Sequence, residues 1–559
     1  RSQAYLIRDG ERAEEWLAHT LAHVPERQRL RVLEARIVRR DGTQVNARQS
    51  DTPRLAEPEI NLYYDARLRV LKFQELQDGD LVELAWVLSE TAESNDTGPY
   101  KGGLLEIGHP VAVGLSEVEL SGPEELLPAW DLVHLEGEPE RVEDRDGIVR
   151  LRWEWRDLPA HPEEVPPAPR LQTVPHLVYS NHPRWGELAT WYERHIASRV
   201  RASRQVEDTA RRLTEGVNDR LDRIARIYGF VTTDIDYVGL EFGEHRYRPF
   251  SADWVLSHKI GDCKDKAALM VALLEAVDIP ARMVMLRTFD RGTAVSELAL
   301  LEIFDHAIVY LPQDDLWLDG TAAGHAPFPP PGICQGAQAL VVDGPASTPR
   351  VTPAPGAGYA RYRYRLERGD GGMVTLEVRT EDTGEAADRR RLAFAGSSDP
   401  RRVTRWLQSQ FPGAELVGEP KLRMVPGRDP TVLELEGRVV RSALLGAGGI
   451  KTFPGDIQLS AQLAPGGERR GPLLLPVRPD LEWTVEVELG GPPGELPPPV
   501  ELKTAFGELK IDHSREATGY RVTGSFRLEP GLVGAADAAA LRRFLVEVER
   551  HLGRPLEVP

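Results

Sequence analysis

Four proline-rich stretches divide the 559-residue chain, and they constrain its fold more than any other feature. Proline fixes the backbone angle φ and lacks an N–H group, so such runs cannot continue a helix or a central strand. A chain of this length is expected to form about three domains. We therefore predict linkers or long loops at HPEEVPPAPR (161–170), APFPPPG (326–332), PASTPRVTPAPGAG (345–358) and GPPGELPPPV (491–500).

Both ends of the chain alternate polar and apolar residues in the manner of half-buried strands. We predict an antiparallel β domain over residues 1–175 and a β-rich domain with a terminal helix over residues 355–559. The strand-like segments of the first are 30–40, 67–76, 80–90 and 148–158. Those of the second are 359–367, 373–380, 431–440, 481–489 and 520–529, and helical patterns cover 399–411 and 536–552.

Composition argues against two kinds of partner. The chain has 87 acidic and 69 basic residues, and its formal net charge is −18. This balance disfavours a surface that follows phosphates, so nucleic acid is not an expected partner. No apolar run approaches the ~20 residues of a membrane-spanning helix, so we predict no membrane span. The first ten residues also lack the basic and apolar segments of a signal peptide.

The most specific pattern lies in the middle, where we predict one domain over residues 176–345. Apolar residues at helical spacing predict one or two helices within 205–229. The segment GDCKDKAALMVALL (261–274) predicts a helix that starts at Cys263, with its leucines along one side. At a helix N-terminus, the macrodipole and the free N–H groups favour a thiolate and can hold an oxyanion. Cys263 is therefore a candidate nucleophile.

A base for this thiol is predicted downstream. Two strands are expected at 301–311 and 316–321, joined by a four-residue turn. In that register His306 lies opposite Thr321 and diagonal to Asp319, whereas a two-residue turn would place His306 directly opposite Asp319. Both registers leave the two side chains on one face, because side chains alternate along a strand, although a β-bulge would reverse this. Asp319 could then orient the imidazole toward the thiol.

Three segments resemble the motif blocks of the transglutaminase-like superfamily, which shares the papain-like fold. They are GDCKDKAALMVALL, FDHAIVYLP (304–312) and WLDGTA (317–322). The match is nearest to a bacterial subgroup in which the core lies between an N-terminal β domain and a C-terminal β-rich domain, both of unassigned function. VLEARIVRRDGTQV (32–45) and LLLPVRPDLEWTVEVEL (473–489) resemble those flanking domains.

The resemblance implies a multidomain α+β fold, with a papain-like core flanked by antiparallel β-sandwich-like domains. It implies that Cys263 is the nucleophile, His306 the base and Asp319 the orienting acid. Family members usually add an aromatic or amide side chain to the oxyanion hole, for which Tyr237 is our candidate and Trp254 a second one. No cofactor or metal is implied. Proteins of this layout are often exported to the periplasm or cell surface.

Other residues near these motifs have simpler interpretations. Lys264 and Lys266 are expected to be solvated on the first helical turn, and the neighbouring aspartates to cap the helix or hold the loop. Cys334 is expected to be a bystander thiol in a loop without a nearby base. The third motif block usually has proline after the aspartate, whereas this chain has Gly320, which could loosen the turn. Cys263 by itself could also be a small buried residue.

Two functions remain open from the sequence. The first is a thiol enzyme that attacks a peptide or carboxamide carbonyl and passes the acyl group to water or to an amine. We favour hydrolysis, because water is always present and no amine site is evident. The second is a catalytically silent binding or scaffold module. A protein or peptide substrate is the expected partner of the enzyme, and the sequence does not determine the oligomeric state.

Overall fold

The computed structural model describes residues 1–556 of the chain apart from short gaps. The gaps are 9–17, 26, 91–99, 145, 163, 242, 295, 355, 357, 395–399, 426–427, 441–449, 454–457, 468 and 489–494. The start of the last predicted linker, 491–494, therefore lies outside the described residues. The fold is a multidomain α+β arrangement with many antiparallel sheets, as predicted. Among the described residues, no helix combines the length and the apolar character needed to cross a membrane.

The N-terminal region is built from strands, and the four strands predicted there are present. They alternate buried and exposed residues, so each sheet places one face on a core, for example around Ile37 or Trp153. The strands are β1 Ser2–Leu6, β2 Ala18–His23, β3 Gln28–Val38, β4 Gln44–Asn46, β5 Arg48–Glu57, β6 Leu62–Lys72, β7 Leu81–Glu90, β8 Gly102–Glu106, β9 Val113–Pro123, β10 Ala129–Val133, β11 Glu140–Glu143, β12 Ile148–Leu158 and β13 His176–Ser180. The sheet orders are β1-β7-β3-β4, β10-β13-β8 and β11-β12-β9, and β6 pairs with β2 and β5.

The central region packs helices against one face of a five-stranded sheet. Its helices are α1 Trp185–Ile196, α2 Arg204–Thr214, α3 Arg220–Asp234, α4 Ala252–His258 and α5 Cys263–Glu275. Its strands are β14 Asp236–Tyr237, β15 Gly239–Glu241, β16 Ile260–Gly261, β17 Arg282–Arg287, β18 His306–Leu311, β19 Leu316–Leu318, β20 Gln338–Val341 and β21 Pro349–Val351, and the sheet order is β19-β18-β17-β20-β21. The predicted helical segment 205–229 thus falls into two helices, α2 and α3.

Helix α5 lies at the centre of this region and is buried on every side. Helices α2, α3 and α4 contact it on one side, and strands β17 and β18 contact it on the other. All residues from Lys264 to Leu274 are buried. The leucines predicted along one side are buried, and so are the residues on the other sides, because a helix enclosed between two layers has no solvated face. Its charged residues are consequently held inside the protein.

A strand of the central region joins a sheet of the N-terminal region. Strand β15 pairs in parallel with β6, with Gly239 beside Leu62. The N–H of Gly239 donates to the carbonyl of Asn61 at 2.9 Å. A Cβ atom at Gly239 would come within 2.2 Å of a terminal methyl of Leu62, so a larger residue here would have to displace that side chain. The N-terminal region thus contacts the chain two residues beyond Tyr237.

The C-terminal region is an eight-stranded sheet covered on one face by helices. The helices are α6 Gly384–Phe394, α7 Pro400–Gln410, α8 Leu459–Leu463 and α9 Ala538–Leu552. The strands are β22 Tyr359–Arg368, β23 Met373–Asp382, β24 Glu415–Val425, β25 Arg428–Val440, β26 Ile450–Lys451, β27 Leu473–Leu475, β28 Asp480–Glu488, β29 Val500–Thr504, β30 Gly507–Glu516, β31 Gly519–Leu528, β32 Gly531–Val533 and β33 Pro555–Leu556. The main sheet has the order β24-β25-β23-β22-β28-β31-β30-β29, and its pairs are antiparallel except β22 with β28.

Helix α6 connects the C-terminal region to the central one through a buried ion pair. His325, in the loop after β19, lies 2.7 Å from the Asp388 carboxylate on α6. Arg391 donates to the other oxygen of Asp388 at 2.5 Å and to the Thr431 hydroxyl at 3.0 Å. Burial opposes protonation of His325, but the Asp388 carboxylate outweighs it and raises the pKa of the imidazole. The ion pair thus joins the residue before the proline-rich segment 326–332 to helix α6 of the C-terminal region.

Candidate active site

Cys263 is the first residue of α5, as predicted, and a reciprocal capping box fixes the helix start. The Asp262 carboxylate accepts from the N–H groups of Lys264 and Asp265 at 3.1 and 3.3 Å. The Asp265 carboxylate accepts from the N–H of Asp262 at 3.1 Å and from that of Phe250 at 2.8 Å. The two aspartates therefore cap the helix and hold the preceding loop at once. The Cys263 thiol itself is partly exposed.

His306 and Asp319 face each other across the hairpin formed by β18 and β19. Leu311 pairs with Leu316, which is the register of the four-residue turn. Imidazole Nε2 lies 3.0 Å from Asp319 Oδ2. The strands are shorter than predicted, because β18 begins at His306, after a 3-10 turn at 301–303, and β19 ends at Leu318. His306 and Asp319 thus lie at the open end of the hairpin, away from its turn.

The charge state of this pair follows from its surroundings. Burial favours neutral imidazole, but the Asp319 carboxylate and hydrogen bonds to that carboxylate and to the Cys263 thiol raise the pKa of His306 well above its ordinary value. Burial opposes ionisation of Asp319, yet His306 and two bonds from Thr321 hold the pKa of the carboxyl below its usual range. Thr321 donates its N–H and hydroxyl to Oδ1 at 2.8 and 2.7 Å. Since Nε2 faces Asp319, Nδ1 is left for the thiol.

Cys334 is not the isolated thiol that the sequence suggested. Its Sγ lies 3.4 Å from Asp319 Oδ2, and the side chain is fully buried. Burial and the Asp319 carboxylate raise the pKa of Cys334 to about 12, so the thiol is neutral at physiological pH and acts as a donor. The expectation that it lacks a nearby base was wrong. No sequence pattern indicated this contact, because Cys334 lies in a short 3-10 turn without periodic spacing.

One group of three metal-ligating side chains is present within the described part of the chain. The ligand atoms of His306, Asp319 and Cys334 lie within 4.8 Å of one another. A metal ion bound here would displace the proton of the Cys334 thiol and would take an imidazole nitrogen of His306 as a ligand. In this structure His306 hydrogen-bonds to Asp319, and the neutral Cys334 thiol donates to the same carboxylate oxygen.

Tyr237 lies beside the turn that leads to Cys263. Strand β14 pairs in parallel with β16, and Tyr237 is the partner of Gly261. Burial, and then the charges of Cys263 and Asp262, raise the pKa of the Tyr237 phenol, so it stays protonated and can donate. Trp254, the second candidate, is instead stacked between Phe250 and His258, with ring centroids 4.1 Å from each.

The two lysines that follow Cys263 are buried, contrary to the prediction of a solvated turn. Lys264 forms an ion pair with Asp262. Lys266 is 2% exposed and donates to the carbonyl of Ile235 at 2.8 Å. Burial lowers the pKa of Lys266 to about 8, although the Asp319 carboxylate acts in the opposite direction. The prediction failed because the layers around α5 enclose the helix from its first turn.

Gly320 allows the chain after Asp319 to approach α5 closely. A Cβ at this position would lie 3.2 Å from Met270 Cε and 3.4 Å from the Cβ of Lys266. A glycine fits this space without displacing the helix. The absence of proline after the aspartate therefore leaves the His306–Asp319 contact intact, because tight packing against α5 holds the segment in place.

Comparisons with known proteins agree with this architecture. Residues 1–162 match the model of a domain of unknown function, DUF3857, and residues 207–319 match that of the transglutaminase-like superfamily. A search of curated proteins finds no match. A solved structure from Parabacteroides distasonis, described as a "putative protease", shares the fold at 15% identity, with a TM-score of 0.66 over 98% of this chain and 93% of that one. Another, a "putative cysteine protease" from Cytophaga hutchinsonii, is 14% identical and aligns with 40% of this chain and 71% of its own at a TM-score of 0.19. The segment that carries Cys263, His306 and Asp319 is thus a transglutaminase-like superfamily domain, and it follows a domain of unknown function.

Proposed function

We propose that this chain is a cysteine-dependent hydrolase that cleaves peptide or carboxamide bonds through a thioester on Cys263. The observation that carries the proposal is the alignment of three groups. A partly exposed thiol starts a buried helix, the nearby imidazole of His306 has a pKa that this thiol helps to raise, and His306 Nε2 lies 3.0 Å from the buried Asp319 carboxylate. These residues fit the roles of nucleophile, base and orienting acid that thiol catalysis needs.

The proposed reaction uses each group once in each half. His306 takes the proton of the Cys263 thiol, and the thiolate attacks the substrate carbonyl carbon. The tetrahedral intermediate collapses to a thioester as the imidazolium gives its proton to the leaving amine. His306 then deprotonates a water molecule, which attacks the thioester and releases the carboxylic acid and the thiol. Asp319 stabilises the imidazolium throughout both halves, because the carboxylate remains ionised.

Two donors are available for the oxyanion of the intermediate. The N–H of Cys263 stands at the helix N-terminus, where no preceding turn accepts a bond from it. The Tyr237 phenol, held protonated beside the same turn, is the proposed second donor. Donors aimed at the developing charge are the largest single source of rate enhancement in acyl transfer.

Cys334 supports the assignment of the nucleophile by contrast. It is fully buried and neutral, so it cannot attack a substrate. An alkylating reagent at neutral pH should therefore label Cys263 much faster than Cys334, and His306→Ala should slow that labelling. Equal, slow labelling of both cysteines would favour the alternative function, a catalytically silent binding module.

Hydrolysis and transamidation share the thioester and differ in the acceptor. We favour water, which agrees with the protease description of the Parabacteroides chain, although that likeness establishes a shared fold only. The test is to incubate the full chain with a peptide library and an added primary amine, and to identify the products by mass spectrometry. Hydrolysis should yield cleaved or deamidated peptides and no amine adducts.

Matched variants connect any activity to the site. Cys263→Ala should abolish turnover, and Cys263→Ser, which keeps the shape and the weaker nucleophile, should retain only a trace of it. Turnover that persists in Cys263→Ala would refute the proposal. Predominant amine adducts would agree with a thioester intermediate, but they would mean that the chain is a transamidase and not a hydrolase.

A further inference from the structure

A cavity of about 730 Å³ lies in the C-terminal region, between the main sheet and helices α6, α7 and α8. Its volume is in the range of ~300–1,000 Å³ that small-molecule sites occupy. Phe394, Phe453 and Phe526 form a buried aromatic floor, and Tyr362 and Trp406 are partly exposed along the walls. The cavity can thus enclose an apolar group of moderate size. It is built from elements that contribute nothing to the cysteine site.

The charged residues of the same cavity are almost all of one sign. Its described lining contains one carboxylate, Asp382, and five arginines, which are Arg389, Arg390, Arg402, Arg405 and Arg478. The chain as a whole has a net charge of −18, so this concentration of positive charge runs against its composition. Arg389, Arg402 and Arg405 are exposed, Arg478 is partly buried and Arg390 is buried, so the five charges create a concentrated positive potential that favours a negative group.

Only one of these arginines is neutralised by a carboxylate. Arg390 donates to Asp382 at 2.7 Å, and its guanidinium lies 4.9 Å from the centroid of the Trp406 ring. Within the described part of the chain, the other four form no salt bridge. Burial lowers the pKa of Arg478, the positive charge of Arg389 lowers it further, and the Glu385 carboxylate acts in the opposite direction. Arg402 donates to the carbonyl of Ala393 at 3.1 Å and keeps further N–H groups for a ligand.

We propose that this cavity binds an organic oxyanion, a carboxylate or phosphate monoester that carries an alkyl or aryl body. Guanidinium forks bind such oxygens in pairs of parallel hydrogen bonds, which accounts for the arginines on α6, α7 and the segment before β28. The aromatic floor accounts for the body, since a bare inorganic anion would not need it. The combination therefore selects a ligand with a charged end and an apolar end.

Titration calorimetry on the full chain tests whether the ligand needs both a negative head group and an apolar body. Decyl phosphate and decanoate, each kept below its micellar concentration, should bind with one-to-one stoichiometry, and the stronger of the two identifies the preferred head group. Decyltrimethylammonium has the same tail and the opposite charge and should not bind. Inorganic phosphate lacks the tail and should bind far more weakly than decyl phosphate. Comparable affinity for either of these two compounds would overturn the proposal.

A variant that lacks two of the arginine charges tests whether the ligand binds in this cavity. Arg405→Gln/Arg478→Gln removes two guanidinium groups that pair with no carboxylate, so the fold keeps its ion pairs and its thermal unfolding should be unchanged. The double variant should bind decyl phosphate about a hundredfold more weakly, at roughly tenfold for each charge-assisted bond lost. Arg423→Gln, on the side chain that is 73% exposed in the same region, is the matched control and should bind as the parent does. Unchanged binding in the double variant would refute the site.

Discussion

Replacing Lys266 with methionine tests the charge balance inside the buried helix α5. The ammonium is enclosed and satisfied by one carbonyl, that of Ile235. Burial lowers the pKa of Lys266 from 10.5 to about 8, which means that the folded protein holds this proton less tightly than the unfolded chain does. Methionine has a similar length and shape but carries no charge, so Lys266→Met removes this penalty and leaves the packing nearly as it was.

The magnitude follows from the two pKa values. Below pH 8 the lysine is charged in both states, and its burial costs about 3 kcal/mol of unfolding free energy, since each pKa unit corresponds to about 1.4 kcal/mol. As the pH rises from 8 toward 10.5, the folded protein loses the proton first, the unfolded chain binds more protons, and stability rises. The penalty has then fallen to about 1 kcal/mol near pH 10. The variant lacks the titrating ammonium, so its stability should not rise with pH over this interval through this group.

The charge effect is best isolated by measuring the stability difference between parent and variant at two pH values. Loss of the Ile235 hydrogen bond shifts the stability of Lys266→Met by about 1–3 kcal/mol in the opposite direction at every pH. The free energy of unfolding of the variant minus that of the parent should still be about 2 kcal/mol larger near pH 7 than near pH 10. Urea unfolding of both proteins can be followed by a short alkylation pulse on the fully buried Cys334, read by mass spectrometry. Parallel stability curves for parent and variant over this interval would refute the reasoning.

Three further predictions concern the site and its attachment to the C-terminal region. Tyr237→Phe should lower kcat by about 10²-fold through loss of an oxyanion donor, with KM and the alkylation rate of Cys263 unchanged. Steady-state assays and thiol labelling measure these quantities. An equal loss of labelling would instead indicate a structural defect. Cys334→Ser should slow alkylation of Cys263 severalfold, because a hydroxyl competes more strongly than a thiol for the Asp319 oxygen that holds the imidazole, and Cys334→Ala is the control that removes the donor without adding a competitor. His325→Gln should reduce thermal stability most below pH 6.5, because the folded-state pKa is raised and the ion pair is complete only while the imidazole is charged. That deficit should disappear as the pH rises above the folded-state pKa, and a deficit independent of pH would contradict the ion-pair explanation.

The sequence predicted the parts of the site that depend on local pattern. Cys263 at a helix start follows from the Gly-Asp turn and the helical run behind it. The shared face of His306 and Asp319 follows from strand parity and a four-residue turn, and the register matches. Both features involve neighbours along the chain, for which spacing fixes geometry.

Features that depend on contacts between distant segments were not predictable from one sequence. Cys334 reaches Asp319 through the path of a proline-rich loop, and no periodicity describes such a path. The buried state of Lys266 depends on the layers that enclose α5, which the local charge pattern contradicts. The His325–Asp388 pair joins residues of two regions and has no mark in either segment. Domain borders at 175, 345 and 355 stay predictions.

The pairing of β15 with β6 bears on how this protein can be divided. The two family models match residues 1–162 and 207–319. Strand β15 of the second segment nevertheless pairs with β6 of the first segment and extends its sheet. A cut between them would leave the 62–64 end of β6 with open backbone groups and remove the Asn61 acceptor from Gly239. A fragment that carries only the transglutaminase-like segment would therefore need a new strand beside β15 to satisfy these groups. The two segments are thus structurally dependent on each other at this sheet, although they match separate family models.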